Sequence, residues 1–217
     1  MLGRVQRQRI DVGAAGLLPV MPEFRGIMVA MKNLGSTIVV LLVALVACAL
    51  PTAAQQKRLS PHETISAVVD GNRVTIVYGR PYTKSPKTGE IRKIWGGLVP
   101  YGAIWRTGAD EATLLITQQA IQLGPNTIPA GAYTLWTLPS ADGRAKLIVN
   151  KQIGQWGIGS QSYDEANDVA RIELKKEALV NPLDQFTISA EANPAGGGIL
   201  KLGWENTQYS TTFTVKK

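Results

Sequence analysis

One cysteine, Cys48, and one histidine, His62, are all the thiol and imidazole this chain of 217 residues carries. A lone cysteine excludes a disulfide framework within the chain, so the fold must be held by ordinary core burial. One Cys and one His fall short of the three or four such ligands that a zinc site takes, and neither a metal nor a cofactor is expected. No Gly-x-Ser-x-Gly segment occurs, which leaves a catalytic serine triad without support; His62 is the sole imidazole available as a general base. Charge is sparse: 18% of residues are charged and the net charge is +7, of which 18 basic against 14 acidic residues, +4, fall from Gln55 onward. The basic pairs Arg92-Lys93, Lys175-Lys176 and Lys216-Lys217 are separated by acids, the pattern of a solvated surface and not of a nucleic-acid footprint.

A long apolar run is missing too. The longest, residues 38–50, has 13 residues, short of the ~20 that span a membrane. With Met31-Lys32 before it and Pro51-Thr52-Ala53-Ala54 after it, residues 31–54 read as a secretory signal peptide cleaved before Gln55. Leu45-Val46-Ala47-Cys48 also fits a lipobox, which would leave a lipid anchor on Cys48. Residues 1–30 are an Arg-rich extension ahead of Met28 and Met31, the more natural starts. The mature protein, residues 55–217, is then exported to the periplasm or beyond, with no transmembrane span.

What the chain has in plenty is period-two alternation. Val74, Ile76 and Tyr78 share one face, and Asp70-Gly71-Asn72 before them is a hairpin turn back to 64–69. Residues 128–138 are apolar on both alternating sets, a central strand with a bulge at Gly131, and Asp142-Gly143 turns the chain into 145–150. Ile172 and Leu174, then Phe186 and Ile188, then Leu200, Leu202 and Trp204 alternate with polar residues. About ten strands result, with a helical turn at most near 177–179. The fold class is all-β, an antiparallel β-sandwich or jelly-roll-like single domain.

Residues 95–113 depart from that pattern. Four glycines, a proline and three large aromatics crowd this stretch, so it is a structured loop or a bulged strand. Arg106, Asp110 and Glu111 follow Trp105, and an Arg–carboxylate bridge fixing the loop is the plain expectation. The alternative is a pocket in which Arg106 or Arg80 binds an anionic group while Trp105 or Trp136 stacks on a ring. As strand neighbours, Asp110 and Glu111 should point to opposite faces, which argues against them as a carboxylate pair for glycoside hydrolysis. Three acids in 163–168 lack EF-hand spacing, and this polar loop, with Trp156 packed inward, is solvated.

Ser60-Pro61, Tyr78-Gly79-Arg80-Pro81, 95–102, 105–112, 129–133, Gln155-Trp156-Gly157 and Tyr163-Asp164, in this order, resemble an exported bacterial family known as domain of unknown function 2911. The likeness runs over 59–215 and implies an exported β-rich domain of this size; the loop 83–90 is longer than is usual there. The resemblance brings no activity with it. The expected function is therefore a binding or envelope-associated module for an unknown small molecule or envelope component, with Arg80, Trp105, Arg106, Asp110 and Glu111 as its ligand-binding residues. The alternative is a hydrolase acting on an extracellular or envelope carbohydrate or ester, though no catalytic motif supports an enzyme.

Overall fold

The computed structural model describes residues 58–157 and 163–216. The extension, the signal peptide and Cys48 lie outside the described residues. The domain is all-β and antiparallel throughout. Strand β1 (His62–Val69) and β2 (Asn72–Gly79) form the expected hairpin, with Asp70 and Gly71 both at positive φ in its tight turn. β3 (Thr113–Thr117), β6 (Gly131–Pro139) and β7 (Ala145–Asn150) extend this layer, and β7 hands over to the first part of β8 (Asp168–Ala192). The rest of β8 pairs with β9 (Gly198–Val215), and the small strands β4 (Ile121–Leu123) and β5 (Asn126–Ile128) complete the second layer beside β9.

Among the described residues nine strands stand where about ten were expected, because β8 continues past Pro182 and β9 past Asn206. β8 carries Pro182 across a register shift between Ala178 and Leu183, and β9 bends at Glu205, which has a positive φ. A bulge accommodates a proline without ending the ladder and strengthens the local twist. These bends let one pair of strands serve both layers. The helical turn expected near 177–179 is absent, since Glu177 and Ala178 pair with Gln208 and Thr207 of β9 and sheet pairing overrides local helix preference. A short 3₁₀ helix forms instead at Glu165–Asn167, capped by the Asp164 carboxylate. The strand expected over 128–138 divides at Pro129: β5 belongs to the second layer and β6 to the first.

β6 is covered on both faces. Tyr133 and Leu135 enter the main core, whereas Trp136 packs on Ala112, Ile148 and Tyr163 in a smaller cluster on the other face. Between the layers, Phe186 of β8 meets Tyr78 of β2 edge-on at 5.9 Å, Trp105 at 4.9 Å and Trp204 of β9 at 5.7 Å. The Tyr78 hydroxyl accepts from Ile188 N at 2.9 Å and donates to Glu63 at 2.7 Å, closing the layers along that edge.

Phe186 is fully buried among these rings, so Phe186→Ala should cost about 3–5 kcal/mol of stability. Urea unfolding of parent and variant reads this as a lower midpoint at similar slope; a loss below about 1 kcal/mol would mean the layers do not close on this ring.

Candidate functional site

Residues 95–112 are irregular because they are held from both layers at once. Trp105 exchanges both backbone hydrogen bonds with Thr137 of β6, at 2.8 Å each, while its indole stacks on Trp204 of β9 at 6.0 Å and an interplanar angle of 24°. Its Nε1 donates to the carbonyl of Gly108 at 3.2 Å, and Ala109 N donates to Gly79 O at 3.2 Å. Gly79 must be glycine there: a Cβ would run into the Ala109 carbonyl. The chain then reverses at Asp110, whose φ is 64°, and Glu111 bridges to Trp156.

A cleft of about 420 Å³ opens beside this loop. Its apolar lining includes Trp105, Trp204, Leu98, Ile104 and Pro86; Lys87, Arg92 and Arg106 are its cations and Asp110 its sole acid. The basic loop 83–92 forms one wall and is anchored, with Thr83 N donating to Asp184 O at 2.7 Å and Arg92 bonded to the carbonyls of Tyr82 and Thr83.

On the far side of the 110–111 turn lies a second groove of about 240 Å³, bordered by His62, Gly79, Glu111 and Gly154. Here Glu111 accepts two bonds from Arg58, both 2.7 Å, and lies 2.6 Å from His62 Nε2. Arg58 rests over the Trp156 ring, 5.5 Å from its centroid. Asp110 Oδ2 is 3.9 Å from Arg58 Nη1, shut off from solvent and without a hydrogen-bond partner.

Of the residues read as ligand-binding, Trp105, Arg106 and Asp110 line the cleft, Glu111 faces the second groove, and Arg80 faces neither. Arg80 is a clamp between strands: it donates to Phe186 O at 3.1 Å and Thr187 Oγ1 at 2.8 Å and pairs with Glu63 at 3.1 Å. Three expectations are corrected. Arg106 does not bridge to the acids; Glu111 is taken by Arg58, and Arg106 donates one Nη1 bond to Gly157 O at 3.2 Å while its buried Nε has no partner. Asp110 and Glu111 do not splay to opposite faces, because the positive φ at Asp110 breaks strand alternation and brings their oxygens within 4.8 Å. Trp156 is not packed inward; it is 60% exposed, with Arg58 over it. In the 163–168 loop, Asp168 accepts from Tyr163, Arg171 and Asn150, and Asp164 caps the 3₁₀ helix, so these oxygens are engaged within the protein.

Sequence reasoning passed over Lys87, Arg92 and Arg58. Arg92 was visible only as half of the surface pair Arg92-Lys93, and Lys87 only as a member of the loop 83–90. Arg58 lies 53 residues from Glu111, and no local pattern links them.

A family model described as protein of unknown function, DUF2911, matches residues 60–213. The chain belongs to the DUF2911 family. No curated protein and no solved structure matches it. In this DUF2911 chain the matched span includes all nine strands except the last two residues of β9, together with the 95–112 loop and both grooves.

Burial pushes the Arg106 guanidinium down in pKa, an effect opposed by the charges of Asp110 and Glu111. The hydrogen bonds from Arg58 hold the Glu111 carboxyl at about 2, against an ordinary 4.5. A depressed carboxylate adds stability that is complete above its unfolded pKa and is lost as pH falls through its folded one. Arg58→Ala should therefore lower stability slightly at neutral pH, this pair being largely exposed to solvent screening, and the gap from the parent should shrink as pH falls from 4.5 toward 2. Denaturant midpoints across that range measure it; a gap independent of pH would show that Arg58 acts only through packing on Trp156.

Proposed function

We propose that this domain is a binding module, exported to the periplasm or cell surface, that takes a small ligand with an apolar body and an anionic group in the cleft beside Trp105. The observation that carries this reading is the cleft itself. At about 420 Å³ it has the size of small-molecule sites, and its lining joins apolar surface to a few convergent polar groups. Lys87, Arg92 and Arg106 against Asp110 alone give it a positive balance, which favours an anion. The signal-peptide pattern of residues 31–54 supports export, with a lipid anchor at Cys48 as the membrane-attached variant; an unknown small molecule or envelope component is then the partner.

The hydrolase reading on an extracellular or envelope carbohydrate or ester draws on Asp110 and Glu111 converging beside His62. It is the weaker reading on one count. A general acid needs a carboxyl whose pKa is raised, whereas that of Glu111 is lowered to about 2.

Thermal unfolding with charge-matched pairs tests the binding reading: aromatic and fatty carboxylates, uronic acids and sugar phosphates, each beside its neutral amide, ester or alcohol. An anion present at 100 times its dissociation constant adds about 2.7 kcal/mol to stability, and its neutral counterpart should add far less. Lys87→Glu reverses a rim charge without disturbing the core and should weaken the anion roughly tenfold, about 1.4 kcal/mol. Equal shifts from charged and neutral members, or an anion indifferent to Lys87→Glu, would remove the anion from the proposal.

A further inference from the structure

His62 comes from the start of β1 and Asp110 and Glu111 from the central loop, yet one ligating atom of each lies within 4.8 Å of the other two. The geometry points to a site for a divalent transition ion such as zinc, ligated by His62, Asp110 and Glu111, with Arg58 as the positive charge that stands in when no metal is bound. An imidazole nitrogen with two carboxylate oxygens is a mixed donor set that suits a borderline ion and differs from a purely acidic surface cluster.

Three observations beyond the cluster carry the site. Asp110 Oδ2 is closed off from solvent and has no hydrogen-bond partner. Its nearest cation, Arg58 Nη1 at 3.9 Å, is beyond hydrogen-bond reach, so this oxygen lacks the close partner that buried polar atoms normally find. The second is the way Arg58 fills the space. It reaches Glu111 at 2.7 Å, His62 Nε2 at 2.8 Å and Asp110 at only 3.9 Å, so its one charge serves Glu111 well and Asp110 poorly. His62 Nε2 also lies 2.6 Å from Glu111 Oε2. Third, His62 and Glu111 border the groove of about 240 Å³, which gives an ion an entry path and leaves room for a water or ligand atom in a fourth position.

The change in geometry is small. Ligands about 2.1 Å from a tetrahedral zinc lie roughly 3.4 Å apart, so side-chain rotations close the present spacing. Arg58 must swing out, and it sits ahead of β1 with its guanidinium partly exposed. The site shares only Asp110 with the apolar cleft, and its test is independent of any cleft ligand.

Cobalt(II) titrated into the purified protein at neutral pH, followed by zinc to displace it, reads the site directly through the visible spectrum of the bound ion. The expected result is a spectrum that saturates at one equivalent, is bleached by zinc, and is weakened at least tenfold by His62→Ala or Glu111→Gln. Arg58→Ala should strengthen cobalt binding about tenfold, because it removes the competing charge. That gain cannot arise from misfolding, so it keeps the proposal open to refutation if the His62 variant is unstable. A parent and an Arg58→Ala protein that both give no saturable spectrum, or a His62→Ala protein that folds and binds as the parent does, would overturn it.

Discussion

Trp105 is held twice, and both candidate sites depend on that. Its backbone forms an antiparallel bridge to Thr137 in the middle of the first layer, while its indole lies on Trp204 and against Phe186 of the second. Large aromatic surface withdrawn from water supplies the attraction, and the tilted and edge-on ring geometry fixes where the rings meet. With Trp105 pinned, the loop cannot lift off the sandwich. It can only run along the layers' edge and reverse. The cleft opens beside this aromatic contact, with the buried Trp105 and Trp204 among its lining residues.

The reversal at Asp110 sets the electrostatics. A strand through 110 and 111 would have sent one carboxylate to each face and left Arg106 the nearest base. The positive φ at Asp110 instead turns both carboxylates toward the segment that leads into β1, where Arg58 and His62 wait. Glu111 is neutralised from outside the loop, and Arg106 stays on the cleft side with one backbone bond and an unpaired Nε. The turn therefore sets a basic, largely apolar cleft beside a compact acidic and imidazole cluster, with Asp110 belonging to both.

How much of this could be read from the chain follows from the range of each interaction. The Asp70-Gly71 hairpin, β7 and the inward faces of 172–174, 186–188 and 200–204 rest on period-two alternation and local turn chemistry, and they were legible. The continuity of β8 past Pro182 and of β9 past Asn206 was not, because bulged pairing is a property of two strands together. Trp105, Arg106, Asp110 and Glu111 stood out by crowding in one stretch, but which of them share a wall was set by a single backbone dihedral. Arg58 carried no local signal, and Lys87 stood only in a loop with no chemistry attached to it. The expectation of no metal counted Cys and His alone; the carboxylates that complete the donor set about His62 become relevant only when the 110–111 turn brings them to it.

Unpaired polarity is concentrated at one end of the sandwich. Among the described residues, the buried side-chain polar atoms without a hydrogen-bond partner are Trp95 Nε1, Arg106 Nε, Asp110 Oδ2 and both amide atoms of Gln155. These five atoms, from four residues, all belong to the 95–110 loop or to the strip at 155–157 that pairs with it. Elsewhere the sandwich satisfies its polar groups with care, as where the Asn72 amide donates to Thr117 Oγ1 and accepts from Gln119 N. Folded chains tolerate unsatisfied buried groups sparingly, since each costs on the order of 1–3 kcal/mol. Their concentration in one loop, between a basic cleft and a histidine–carboxylate cluster, sets that loop apart from the rest of the sandwich.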